Sequence, residues 1–129
     1  MKSYENFVNA LQNLHDIENY QEPYDNVVLT GLVALYEICF EQAWKAMKEK
    51  LLQHGFPEGQ TGSPKKILKT AYQAGMIRDE ALWIEALAAR NDVVHSYNKN
   101  IADSIVANVR TALLPMFDEL RVELSENWD

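Results

Sequence analysis

One cysteine, four prolines and five glycines are all that this chain of 129 residues holds of the residues that staple, break and turn a backbone. Cys39 alone rules out an internal disulfide and fits a reducing compartment. It lies in an apolar run with no histidine near it in sequence, and reads as a small buried hydrophobe. Histidines stand only at 15, 54 and 95, too scattered for a ligand pair on one element, so no zinc site is expected. The glycines form no Gly-x4-Gly-Lys pattern, which excludes a phosphate-binding loop. There is no Asp-x-Asp, so the chain lacks the paired carboxylates that hold magnesium in a nucleotidyltransferase. Neither a metal nor a cofactor is expected.

Positive charge is scarce as well. Twelve basic against 19 acidic residues give a formal charge of -7. A fold that bound nucleic acid through bulk charge would be basic, so any RNA contact must be local. Long apolar runs are also missing. Residues 27 to 36 are interrupted by Thr30 and Gly31 and end at Glu37, about half of the roughly 20 residues that a membrane span needs. The N-terminal stretch carries Lys2, Glu5, Asp16 and Glu18 and no continuous apolar segment of an export signal. The expectation is a soluble, cytoplasmic protein with no membrane contact.

What the chain does have is helical periodicity. With 47% hydrophobic and 24% charged residues it is globular, one domain over 1–129. Phe7, Leu11 and Leu14 predict a first helix over 3–18, followed by a turn at 19–23. Leu29, Leu32, Val33, Tyr36, Phe40, Ala43, Met47 and Leu51 keep phase through a second, over 25–54, with Ile38 and Cys39 widening its apolar surface. Such a width suits a central helix, or one covered by a second subunit. Residues 55–63 read as a loop ending in Ser63-Pro64, an N-cap and first helical position.

A short helix over 64–74 turns Ile67, Ala71 and Tyr72 inward and gathers Lys65, Lys66 and Lys69 in a basic patch, either a solvated face or a contact for a nucleotide or acidic partner. Asp79 caps a helix over 80–96, and 98–100 breaks the chain again. The last helix, 101–124, contains Pro115 and should kink near 111–114. Few turns and three long helices predict an all-α, antiparallel up-and-down bundle of the four-helix type with one extra short helix.

The stretch from Arg90 to Tyr97 asks for more than packing. Trp83, Leu87, Val94 and Tyr97 form one helical stripe, and Arg90 falls inside it. A guanidinium on a packing face is costly unless something anionic or polar meets it. Two accounts stand. Arg90 could pair with Glu85 or Glu37 across a seam while Asn91 and His95 satisfy the helix end. Alternatively Arg90 could hold a phosphate, and the imidazole of His95 could move a proton near neutral pH. Five positions turn an ideal helix about 500°, leaving the two side chains about 140° apart. They meet one phosphate only if the helix ends near Ser96 or a second subunit supplies one of them.

Arg90-Asn91-x3-His95-x-Tyr97 resembles the Arg-x4-His-x-Tyr signature of HEPN domains. Tyr36-Glu37-x2-Phe40-Glu41-x-Ala43-Trp44-Lys45 is similar to the Phe-Glu-x2-Phe-Glu-x-Ala-Trp-Lys stretch of the nucleotidyltransferase substrate-binding proteins, a HEPN branch. Ser63-Pro64, Gly75-x-Ile77 and Trp83 follow in the order seen there. The resemblance implies an up-and-down bundle that dimerises with its motif helices near the two-fold. It implies as partner a minimal nucleotidyltransferase on a separate chain, in a toxin-antitoxin-like module. In toxin-like members the motif arginine and histidine, here Arg90 and His95, act as a metal-independent ribonuclease, and the tyrosine, here Tyr97, is nucleotidylated by the partner. A phosphate on Tyr97 would then be expected to occupy the Arg90 guanidinium. Two departures stand out: Tyr36 replaces the usual Phe, and Ala89 stands where an acidic residue often precedes the arginine, leaving Arg90 without a neighbouring restraint. A substrate-binding subunit is the first expectation and a ribonuclease toxin the alternative.

Overall fold

Residues 2–129 are described by a computed structural model, and among them there are helices and connections but no strand. Helix α1 (Lys2–His15) buries Phe7, Ala10, Leu11 and Leu14 on one face, then tightens into a 3-10 turn (Asp16–Asn19) that seats Ile17 in the core. Helix α2 (Asn26–Gln53) starts where the Asp25 carboxylate accepts the Val28 N–H at 2.8 Å. After it come α3 (Glu58–Thr61), α4 (Pro64–Gln73), α5 (Glu80–Ser96), α6 (Lys99–Asn108), a π-helical turn (Val109–Leu113) and α7 (Leu114–Asn127). Ser63, Asp79 and Asn98 cap α4, α5 and α6 with side-chain acceptors for the N–H three residues on.

Contacts at the helix ends set the directions. Ser3 at the start of α1 bonds Glu49 near the end of α2. Tyr97 at the end of α5 bonds Thr30 near the start of α2. Trp128, just past α7, packs its ring on His54 at the end of α2. Hence α1, α2, α5 and the α6–α7 rod alternate up and down, with α3 and α4 as the extra short pieces. Each of those four contributes to an aromatic cluster: Phe117 lies 6.4 Å from Phe7, 6.2 Å from Tyr36 and 5.5 Å from Trp83, between ring centroids. Among the described residues α2 is the one helix long and apolar enough, by length and composition, to cross a membrane. In the bundle it packs against all six other α-helices.

Several expectations need correction. The 55–63 loop holds α3, so tightly set that a Cβ on Gly59 would stand 2.6 Å from the Leu52 backbone nitrogen. The last helix starts at Lys99 and runs to Asn127, and the disturbance before Pro115 is a π turn. Proline offers no N–H to the preceding turn, and the wider turn absorbs the mismatch. Arg110 in that turn donates to Tyr24 Oη at 3.0 Å, to the Ile17 carbonyl at 2.9 Å and to the Tyr20 carbonyl, fastening the α1–α2 connection. Tyr72 is exposed, because the inner face of α4 is Ile67, Leu68, Thr70 and Ala71 and residue 72 lies one step beyond it.

Candidate functional site

Helix α5 buries Trp83, Ala86 and Leu87, then outruns the core. Its apolar stripe does not stay covered as its spacing predicts: Val94 is 64% and Tyr97 42% exposed. The aromatic cluster ends near Trp83, and beside the later turns of α5 open grooves run along α2 and α6.

Between α2 and this end of α5 lies an open groove of about 420 Å³, lined by Ala34, Glu37, Ile38, Glu41, Gln42, Arg90 and Val94. Arg90 Nη2 donates to Glu41 Oε2 at 3.1 Å, and Nη1 donates to Asn91 Oδ1 at 3.1 Å. The partner is therefore neither Glu85 nor Glu37 but a carboxylate on α2, one turn past Glu37. Glu41 has partners on its own helix as well. Its Oε2 also accepts from Trp44 Nε1 at 3.0 Å, while Lys45 Nζ stands 3.5 Å from Oε1. Burial works against its charge, yet the Trp44 N–H, Lys45 and Arg90 outweigh it and hold the carboxyl below its usual range. The restraint expected to be missing at Ala89 thus comes from another helix.

His95 is exposed, makes no hydrogen bond or ion pair among the described residues, and is not among the groove-lining residues. Because α5 continues to Ser96, the helical angle between Arg90 and His95 is kept, and one chain does not bring them together. Tyr97 ends the helix in an extended conformation, and its hydroxyl lies 3.0 Å from Thr30 Oγ1. Thr30 and Glu41 are eleven positions apart on α2, about 16 Å along the axis. A phosphate on Tyr97 would therefore not rest on Arg90 of the same chain, contrary to expectation: the helix ends and the ring turns towards the start of α2. Lys65, Lys66 and Lys69 are exposed on α4, beside the beginning of α5, and do not join the groove.

Two buried groups secure the frame. The Tyr36 hydroxyl donates to the Ala86 carbonyl, and burial pushes its pKa far up. Burial likewise pushes the Cys39 thiol up, leaving it unreactive. Glu41, Trp44 and Thr30 were not singled out as site residues by sequence reasoning. The only signal for the first two is their place in the second-helix motif.

Residues 2–126 match the family described as "Nucleotidyltransferase substrate binding protein like". The chain belongs to this family. Over 91 residues this substrate-binding-like protein is 26% identical to a Haemophilus influenzae protein named "Probable ribonuclease HepT", covering 69% of the chain. The chain spans 62% of that relative's length. A solved structure from Thermus thermophilus is similar with a TM-score of 0.70 at 27% identity, over 92% of this chain and 95% of that one. A Haemophilus influenzae structure, described as revealing the fold of a substrate binding domain of a nucleotidyltransferase, also gives 0.70, at 21% identity over 97% and 96%. That likeness shows the fold, an all-α bundle.

Proposed function

We propose that this chain is the substrate-binding, regulatory subunit of a two-component, toxin-antitoxin-like module whose other part is a minimal nucleotidyltransferase on a separate chain. The observation that carries the reading is the open groove between α2 and α5, where Arg90 is the cation among the lining residues and His95 is not one of them. A guanidinium holds phosphate by two parallel hydrogen bonds, which suits a subunit that presents a phosphate-bearing group to an enzyme. The acidic chain as a whole favours such a role over bulk binding of nucleic acid. Lys65, Lys66 and Lys69 offer a local cationic face for the partner or its nucleotide, and the half-exposed Tyr97 hydroxyl is the group the partner would modify. Val27, Ile38 and Val94, exposed along one side of α2 and α5, would be covered by a second copy in a homodimer. The module works in the cytoplasm. Co-expression with the cognate nucleotidyltransferase tests the reading: a complex that survives purification at micromolar concentration is expected, and two chains that elute apart at that concentration remove it.

A second reading is a metal-independent ribonuclease, favoured by the exposed imidazole of His95. A second copy would have to bring it to the cleft that holds Arg90. Cleavage through the RNA's own 2'-hydroxyl needs an acid and a base but no metal. With purified protein, RNA and a chelator, His95→Ala should lower the rate by about 10²- to 10⁴-fold. Cleavage unaffected by that change would rule this reading out.

A further inference from the structure

Both terminal nitrogens of Arg90 are already donating inside the chain, Nη2 to Glu41 and Nη1 to Asn91. They are the pair that a phosphate would use in two-pronged fashion. The pair is not sealed away: the Arg90 side chain is 27% and that of Glu41 32% exposed, and both line the open groove. We propose that Glu41 is a built-in competitor for the Arg90 anion site, so that a ligand phosphate binds by exchanging with its carboxylate. The inference rests on the reading of Arg90 as a phosphate-holding group, and adds how the site is controlled and what it selects.

The geometry favours exchange for a definite reason. A carboxylate released from Arg90 is normally left without a partner, and that loss opposes its release. Glu41 keeps two partners on its own helix, the Trp44 Nε1–H on Oε2 and the Lys45 ammonium near Oε1. Its exchange therefore costs one contact and leaves the carboxylate partnered. Asn91 is the neighbour of Arg90 in sequence, and its amide can turn away without moving either helix. Glu37 lines the same groove, so an entering anion meets two carboxylates as well as the guanidinium. Acetate carries the same single charge and the same two oxygens as the Glu41 carboxylate, and so gains nothing over it. A phosphomonoester, with about -1.5 to -2 charges at pH 7 and three acceptor oxygens, can span both nitrogens. Glu41 is in this sense a specificity-determining residue: it keeps the arginine closed to ordinary carboxylates and open to phosphate.

The test uses the full chain with adenosine 5'-monophosphate as the probe and adenosine and acetate as controls, titrated by calorimetry and by the Arg90 Nε–H resonance. Glu41→Gln keeps the shape and the hydrogen-bond acceptor while removing the charge. It should tighten monophosphate binding about tenfold, the equivalent of about 1.4 kcal/mol, and let acetate shift the Arg90 resonance. Glu41→Gln combined with Arg90→Ala should abolish the gain, and thermal unfolding of each variant establishes that it folds. If Glu41→Gln binds the probe no better, or more weakly, than the unaltered protein, Glu41 does not compete and the inference is overturned. If Arg90→Ala binds the probe as well as the unaltered protein, it is the phosphate reading of Arg90 that fails.

Discussion

Tyr36 on α2 donates its buried hydroxyl to the carbonyl of Ala86 on α5, so the two helices that form the groove are fastened to each other inside the core. Residue 86 lies within α5, where its carbonyl also takes the regular helical bond. Removing the hydroxyl therefore leaves no orphan acceptor. Tyr36→Phe should cost about 1 kcal/mol, lowering the melting temperature by about 4 °C. An unchanged melting temperature would show that this bond does not help to hold α2 and α5 together.

Helix α3 is held by closeness, not by its own length. A Cβ on Gly59 would lie 2.6 Å from the Leu52 nitrogen and 2.7 Å from the Lys48 carbonyl oxygen, both backbone atoms of α2. Neither can give way unless the helix bends. Gly59→Ala should destabilise by about 1–3 kcal/mol, read by thermal unfolding, and should raise amide exchange across residues 58–61. Unchanged stability and exchange would show that α3 is not seated on α2 as described.

The parts of the fold legible in sequence are those with local causes. Asp25, Ser63 and Asp79 each accept an N–H three residues on, so three helix starts can be read from a few letters. Phe7, Leu11 and Leu14, or Leu29, Leu32, Val33 and Tyr36, recur with the helical period because one face of each helix meets the same core. Where the cause is distant, the letters mislead. Gly59 looks like a loop residue because the backbone it packs on is not adjacent in sequence. Glu41 pairs with Lys45 at a visible spacing of four, while its contact with Arg90 spans 49 positions and leaves no periodic trace. Val94 continues the stripe of Trp83 and Leu87, but spacing alone does not tell which chain covers it. Tyr97 stays in phase with a helix that has already ended, which is why its separation from Arg90 emerges only from the fold.

His15 joins α1 to α7 through an imidazole set between two carboxylates, Nε2 2.8 Å from Asp118 Oδ1 and Nδ1 3.3 Å from Glu18 Oε1. Burial opposes its charge, but hydrogen bonds to Asp118 and Glu18 prevail and raise its pKa above the ordinary histidine value of 6.5. A pKa raised on folding means stability that is fully present below the unfolded value and lost as pH rises through the folded one. All three side chains are more than a third exposed, so solvent screening limits the contribution to about 0.5 kcal/mol. Between about pH 5.5 and 8.5 the unaltered protein should lose about 2 °C more in melting temperature than His15→Gln. Parallel profiles for the two proteins would remove the assignment.

Gly31 sits in the second turn of α2, exposed, and beyond its own stretch of helix no heavy atom lies within 4 Å of where a Cβ would stand. Within one chain this is a wasteful choice, since glycine inside a helix costs about 1 kcal/mol relative to alanine. The residue shares its side of α2 with Val27, Ala34 and Ile38, spaced so that they form one stripe running beside Val94. A small residue there permits close approach of another backbone, which suits the proposed homodimer. Gly31→Ala should therefore raise the unfolding stability of dilute, monomeric protein by about 0.5–1 kcal/mol. Gly31→Glu should leave the helix intact yet separate the proposed homodimer, read by sedimentation at micromolar concentration. If Gly31→Glu sediments like the unaltered protein, this face is not where two copies meet, and His95 must find its partners without help from it.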